Sequence, residues 1–201
     1  MRDYREGEMV INFYSCGKAP FHNLSNFAYI HGGIKYNGLV YISSEHAFQA
    51  QKYIQEQRYR FSIDGDLGNW DGLKLIYKES EYDKKYKYWS KKNNIGIIAK
   101  MVTNEKICKK LGLIRDEKFS STDELWIKIL EKKYAIKYFK YLLKSTCDIY
   151  LLEFDRGAKR SNSFWGGLIY NNILYGNNQM GKYLMEIRKN ILYFKDEHEI
   201  H

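Results

Sequence analysis

The sequence predicts an α+β fold: a single compact domain, mostly helical, with short strands and hairpins. Three observations predict it. Turn-bracketed β signals cluster toward both ends of the chain. Helical stretches fill the middle. The 201 residues, 44% hydrophobic and 16% aromatic, suit one domain with its own core. The expected layout is a flexible segment 1–9, the domain over 10–194 and a flexible tail over 195–201.

Each element follows from its local pattern. Val10–Tyr14 reads as a strand. Phe27–Ile30 and Ile34–Tyr36 flank Gly32-Gly33, a hairpin signal, and Asn37-Gly38 gives a further turn before Leu39–Ile42. Ser43-Ser44 precedes Glu45-His46-Ala47-Phe48-Gln49-Ala50-Gln51-Lys52, an N-capped helix in which a serine oxygen accepts a free first-turn amide. Residues 62–72 form a Gly/Asp loop, and lysine-rich helical sequence covers roughly 84–110. Ser121-Thr122-Asp123-Glu124 has capping-box spacing and opens a helix through about Leu143. Asp148–Asp155 reads as a buried strand ending in Glu153. Leu168–Tyr170 and Ile173–Tyr175 make a second hairpin around Asn171-Asn172. Gly176-Asn177-Asn178 leads into a last helix with Met180, Leu184, Ile187 and Ile191 on one face. Trp89 and Trp126 fall on amphipathic helices as core residues.

Composition removes several classes. Aromatic and apolar content excludes global disorder, and no stretch approaches about 18 uncharged apolar residues, so no membrane span is expected. The three cysteines, Cys16, Cys108 and Cys147, form neither a CxxC nor a Cys/His cluster, so neither a metal site nor a disulfide framework is indicated. His22, His31 and His46 lack a metal-like pattern, and His198 and His201 fall in the tail. The first residues lack the apolar core of a signal peptide, which makes a reducing, cytoplasmic setting the expectation. The charge is +9, from 33 Lys+Arg against 24 Asp+Glu. A field of that sign favours nucleic acid or phosphorylated molecules, while scattered lysines serve equally well as a solvated coat.

Three places carry candidate chemistry. Glu45 and Lys52 are seven apart, so both lie on one helix face about 10 Å apart along the axis. Side chains lean toward the helix N-terminus, which brings the long lysine back toward the glutamate, with Phe48 and Gln49 between them. Periodicity alone also allows an ordinary surface helix; Phe48 between two charges, with no evident packing partner, argues against that. The second place is Ser161-Asn162-Ser163-Phe164-Trp165-Gly166-Gly167, where glycines permit close backbone approach beside an indole wall, or where a buried tryptophan simply opens a hairpin. The third is Gly176-Asn177-Asn178-Gln179-Met180-Gly181-Lys182, a helix N-terminus that favours phosphate or a plain asparagine cap.

Taken in order, these segments resemble the NADAR family of YbiA-like proteins. The matching pieces are Phe13-Tyr14, Pro20-Phe21, Leu24-Ser25-Asn26-Phe27, Ser44–Lys52, Glu153, Trp165-Gly166-Gly167, and Gly176-Asn177-Asn178 through Gly181, Leu184-Met185 and Arg188. They span residues 13–188. The family often carries an aspartate three residues before the Trp-Gly pair. Here that position is Asn162, and Asp155-Arg156-Gly157 with Lys159-Arg160 lengthens the approach to it.

The resemblance implies an N-glycosidase, without cofactor or metal, that hydrolyses an amine-linked bond to ribose C1. Its expected substrate is ADP-ribosylated guanine in nucleic acid or nucleotide. Phosphorylated riboflavin-pathway intermediates are the alternative, and a non-catalytic ADP-ribose or nucleic-acid binding module is a third reading that Asn162 keeps open. No membrane partner is expected. Lys52 would be the nucleophile that forms a Schiff base, and Glu45, kept ionised by its helix-end position, would move protons or hold the ribose hydroxyls. Alternatively, Lys52 binds phosphate and Glu45 steers water. Phe21, Asn26, Ser44, Gln49, Glu153, Asn162, Trp165, Gly166, Asn177, Asn178 and Gly181 would contact substrate. Among them Trp165 would stack on a base or sugar, and Asn177, Asn178 and the amides before Met180 would hold the pyrophosphate. A nearby carboxylate raises a lysine's pKa, so burial or another cation must outweigh Glu45 for Lys52 to attack.

Overall fold

The two ends of the chain pair with each other. Strand β1 (Val10–Phe13) runs parallel to a strand near the other end, in a register that sets Val10 opposite Tyr150 and Phe13 opposite Glu153. In the computed structural model the described residues are 2–77, 84, 87, 88, 90, 94–102 and 104–193. Trp89, part of the helical stretch expected over 84–110, and the tail with His198 and His201 lie outside them.

After β1 come β2 (Ile34–Tyr36), β3 (Leu39–Tyr41), α1 (Ser44–Gln51), α2 (Trp70–Tyr77), α3 (Ile95–Val102), α4 (Glu105–Lys110) and α5 (Asp123–Tyr134). Then follow α6 (Lys137–Lys144), β4 (Tyr150–Glu153), α7 (Ala158–Ser161), β5 (Leu168–Tyr170), β6 (Ile173–Tyr175) and α8 (Gln179–Tyr193). Short 3-10 turns occupy Phe21–Leu24 and Gln55–Phe61. The composition is α+β, with strands only in three two-stranded ladders among the described residues. No helix among them is long and apolar enough to cross a membrane.

The chain groups into two units, Met1–Ser25 with Tyr134–His201, and Asn26–Lys133. In the first, β4 is the spine. Tyr150, Leu151 and Leu152 are buried, and α8 lays Met180, Leu184 and Ile187 into the same core. Gly181 makes that approach possible, because a Cβ there would stand 2.1 Å from the Leu151 carbonyl oxygen. Helix α6 packs on α8 and on the Phe21–Leu24 turn, and the Tyr134 hydroxyl donates to the Leu24 carbonyl at 3.1 Å. Arg188, buried, donates to Thr146 Oγ1 (2.7 Å) and the Ile149 carbonyl (2.9 Å). The β5–β6 hairpin turns through Asn171 (φ 49°) and Asn172 (φ 60°), two left-handed residues that match the twist of the flanking strands.

In the second unit α1 packs on α3, on the Gln55–Phe61 turn and on β3. The hairpin here differs from the expectation. β2 and β3 pair around Asn37-Gly38 (φ 47° and 81°), while Phe27–Ile30 is no strand: the Ile30 amide donates to the Ile42 carbonyl (2.8 Å) and the Ile30 carbonyl accepts the Gly33 amide (2.9 Å). An Asn-Gly pair with both φ positive is the turn that strand twist selects. The Gly/Asp loop is shorter than expected, because Asn69 Oδ1 accepts the Gly72 amide at 2.8 Å and α2 starts at Trp70. Likewise Asn104 Oδ1 accepts the Lys106 amide (3.1 Å) and opens α4 as a separate helix. Thr122 Oγ1 accepts the Leu125 amide (3.1 Å), as a capping residue should. The long helix expected from there is two, α5 and α6, because Ile136 is extended (φ −71°, ψ 128°).

Candidate functional site

Helix α1 exists because of its cap. Ser43 Oγ accepts the His46 amide at 3.2 Å and approaches His46 Nδ1 at 2.8 Å. Every residue from Ser44 to Gln51 is buried, so this is no solvated surface helix. Such a helix must satisfy its polar side chains internally. Gln51 donates to the Ala47 carbonyl (3.0 Å) and accepts from Asn37 (3.2 Å). His46 is fully buried, and burial holds its imidazole at about 3, neutral at ordinary pH.

One face of α1 carries the chemistry. Gln49 Nε2 donates to Glu45 Oε1 at 2.5 Å. Glu45 is 4% exposed and Gln49 1%. Gln49 Oε1 and Ser44 Oγ are buried with no hydrogen-bond partner among the described residues. The Glu45 amide donates to the carbonyl of Asn26, itself buried, at 3.1 Å. Lys52, half-buried, holds Nζ 4.9 Å from the centroid of the Phe48 ring. Phe48 has the packing partners that sequence could not supply: it stacks on Trp126 (4.0 Å, 19°) and meets Phe119 edge-on (5.9 Å, 70°).

The electrostatics invert one expectation. Glu45 is not held ionised by the helix end; burial pushes its carboxyl above the ordinary range, against Lys100, the Gln49 hydrogen bond and Lys52. Lys52 moves the other way. Burial lowers its pKa, Glu45 opposes, and Arg115 and Lys100 add to the lowering. The acid and the amine are thus brought closer in proton affinity, the condition for passing a proton between them. Lys100 comes from α3, and Arg115 from the segment that bridges to Tyr53. Neither carried a sequence signal, whereas Trp126 was legible as core.

The other candidates lie in the unit formed by the chain ends. Phe21 is half-buried in its 3-10 turn. Glu153 ends β4, and its amide is held by Asn178 Oδ1 (2.9 Å). Trp165 is half-buried beside Phe164 (4.9 Å, 86°) and Tyr183 (6.5 Å, 59°). Gly166 permits a close approach to protein backbone: a Cβ would lie 2.6 Å from the Glu153 carbonyl oxygen. Asn162 is an exposed left-handed residue (φ 45°, ψ 56°) that ends α7, a conformation asparagine tolerates. Asp155 is engaged locally, accepting the Gly157 amide at 2.8 Å.

The expected pyrophosphate cradle is corrected. The amides of Asn177, Asn178, Gln179 and Met180 donate to the carbonyls of Ser163, Gly166, Phe164 and Trp165, at 2.7, 3.0, 3.1 and 3.1 Å. The Trp-Gly loop itself caps α8, which leaves these amides no capacity for phosphate. The buried Asn178 side chain ties α8 to β4 by donating to the Leu151 carbonyl (2.7 Å) as well as holding Glu153, and Gly181 packs on the same strand.

No protein-family model matches the chain, and no curated protein matches it. Among solved structures it is similar to the E. coli protein YbiA, determined by NMR. The TM-score is 0.61 at 23% identity, over 96% of this chain and 91% of that one. The chain therefore has a YbiA-like α+β fold.

Proposed function

We propose that the chain is a NADAR-type N-glycosidase that removes ADP-ribose from guanine through a Schiff base on Lys52. The observation that carries the reading is the pairing of the half-buried lysine that ends α1, lowered in pKa, with a buried glutamate in its first turn, raised in pKa. The YbiA-like fold and the ordered motifs of the sequence support the family.

The guanine nitrogen bonded to ribose C1 pushes its lone pair toward C1 and expels the ring oxygen, which takes the proton of the Glu45 carboxyl, and C1 becomes the carbon of a protonated imine. Neutral Lys52 Nζ adds to C1, and a proton passes from Nζ to the guanine nitrogen by way of the Glu45 carboxylate. The C1–N bond to guanine breaks with its electron pair, leaving the free base amine and a Schiff base between C1 and Lys52. The Glu45 carboxylate takes a proton from water as its oxygen adds to C1 and passes it to Nζ; the C1–Nζ bond breaks with its electron pair as the C1 hydroxyl gives its proton back to Glu45 and becomes a carbonyl, and the freed ring hydroxyl adds to C1 to re-form ADP-ribose, which is released. Gln49 orients Glu45, and its open Oε1 offers an acceptor to a substrate hydroxyl or amine. The stacked Phe48 and Trp126 support the buried setting that keeps Lys52 reactive.

The test is turnover of ADP-ribosylated guanosine, followed by mass spectrometry, with wild type and Glu45→Ala. Release of guanosine by wild type, reduced by roughly 10²–10⁴-fold in the variant, is the expected result. Turnover only of ribosylated riboflavin precursors would move the substrate assignment, and binding without turnover of either would end the enzyme reading.

A further inference from the structure

The segment 155–160 lengthens the approach to the Trp-Gly loop, and nothing in the chemistry at Lys52 uses it. It places Arg156, Lys159 and Arg160, all exposed, on and beside α7. The single acid among them, Asp155, is engaged with the Gly157 amide. The exposed Lys159 side chain lies across two rings. Its Nζ lies 4.1 Å from the centroid of the Tyr170 ring and 5.4 Å from that of Tyr175.

Those rings belong to one face of the β5–β6 hairpin. The register pairs Leu168 with Tyr175 and Tyr170 with Ile173. Side chains alternate along a strand, so these four share a face and Ile169 and Leu174 share the other. On the first face Tyr170 is 50% exposed and Ile173 56%. The hairpin face thus presents Tyr170 and Ile173 to water, with Tyr175 half-buried beside them, a cation seated across the two rings, and Arg156 and Arg160 close to it in sequence.

We propose that this face binds a single-stranded nucleic acid, with a base stacking on the exposed Tyr170 ring and Lys159, Arg160 and Arg156 contacting the backbone phosphates. The combination argues for it. An exposed aromatic ring suits any base, because every base has a π-face, and interleaved cations suit a repeating anion. A duplex keeps its bases stacked on one another, out of reach of such a face, so the occupant is a single strand. The net charge of +9 gives long-range attraction of the same sign. That the strand would also carry the guanine target rests on the glycosidase reading; the binding itself does not.

The experiment is fluorescence anisotropy of a labelled, unmodified single-stranded oligonucleotide at several salt concentrations. It uses the full chain and the variants Lys159→Ala/Arg160→Ala, Tyr170→Ser and Tyr170→Phe. These side chains are exposed, and circular dichroism confirms that each variant folds. Wild type should bind with strong salt dependence. The double variant should flatten the slope of log K against log salt by about 1.4, at about 0.7 per lost phosphate contact. Tyr170→Ser should weaken binding roughly tenfold, while Tyr170→Phe keeps it. Binding with no turnover of ADP-ribosylated guanosine would uphold this surface while removing the glycosidase. A wild type that does not bind the strand, or variants that all bind as wild type does, would overturn the proposal.

Discussion

The Gln49 amide donates to the Glu45 carboxylate across 2.5 Å, one turn apart on a helix with no exposed residue. The bond organises the site: it fixes the acid's orientation, lowers the cost of its charge, and leaves Gln49 Oε1 buried without a partner among the described residues. Burial still dominates, and the carboxyl stays above its ordinary range.

That raised value predicts a stability cost. A group whose folded pKa exceeds its unfolded one contributes stability that is fully present below the unfolded value, 4.5, and lost as pH rises through the folded value. Burying Glu45 therefore costs stability at neutral pH relative to acid pH. Glu45→Gln should melt higher than wild type at neutral pH, with the difference shrinking below pH 4.5, while turnover falls by roughly 10²–10⁴-fold. Thermal unfolding at both pH values checks the first claim.

Lys52→Arg separates nucleophile from phosphate ligand. Arginine keeps the charge but cannot shed its proton in a protein. If Lys52 attacks C1, the variant should lose turnover as fully as Lys52→Ala. Retained turnover with raised KM would mean that the lysine only binds phosphate. For wild type the rate should rise with pH through the lowered lysine pKa, since burial favours the neutral amine.

His46 sets the acid limit. Its folded pKa of about 3 lies below the ordinary 6.5, so its contribution is present above 6.5 and lost as pH falls toward 3. His46→Gln should show a shallower fall in unfolding free energy across that window, measured by denaturant titration at several pH values.

Asn178 separates scaffold from ligand contact. Asn178→Ala leaves the Glu153 amide and the Leu151 carbonyl without their partners, at a cost of roughly 1–3 kcal/mol for each buried group. The expected result is a lower melting temperature with KM for ADP-ribosylated guanosine unchanged. A KM effect without loss of stability would restore the phosphate role.

Much of the fold was legible because its signals are local. The Ser43 cap, the Asn171-Asn172 turn and the α8 stripe of Met180, Leu184 and Ile187 each announce themselves within a few residues. The parallel pairing of β1 with β4 was not, since a ladder between the two chain ends leaves no short-range trace. The break at Ile136 was hidden because helical periodicity continues on both sides of it. At the site, helical angle put Glu45, Gln49 and Lys52 on one face, but its burial, and hence the direction of Glu45's pKa, depends on packing against α3 and the Trp126 stack. The capping of α8 by Ser163–Gly166 carbonyls was likewise unreadable, because a helix N-terminus looks the same in sequence whether its amides are free or taken.

The central claim is a covalent bond between Lys52 and ribose C1, and borohydride tests it most directly. Reduction during turnover of ADP-ribosylated guanosine should leave ADP-ribose attached to the peptide that contains Lys52, and to no peptide of Lys52→Ala. Full turnover with no adduct on Lys52, and activity surviving in Lys52→Ala, would contradict the account.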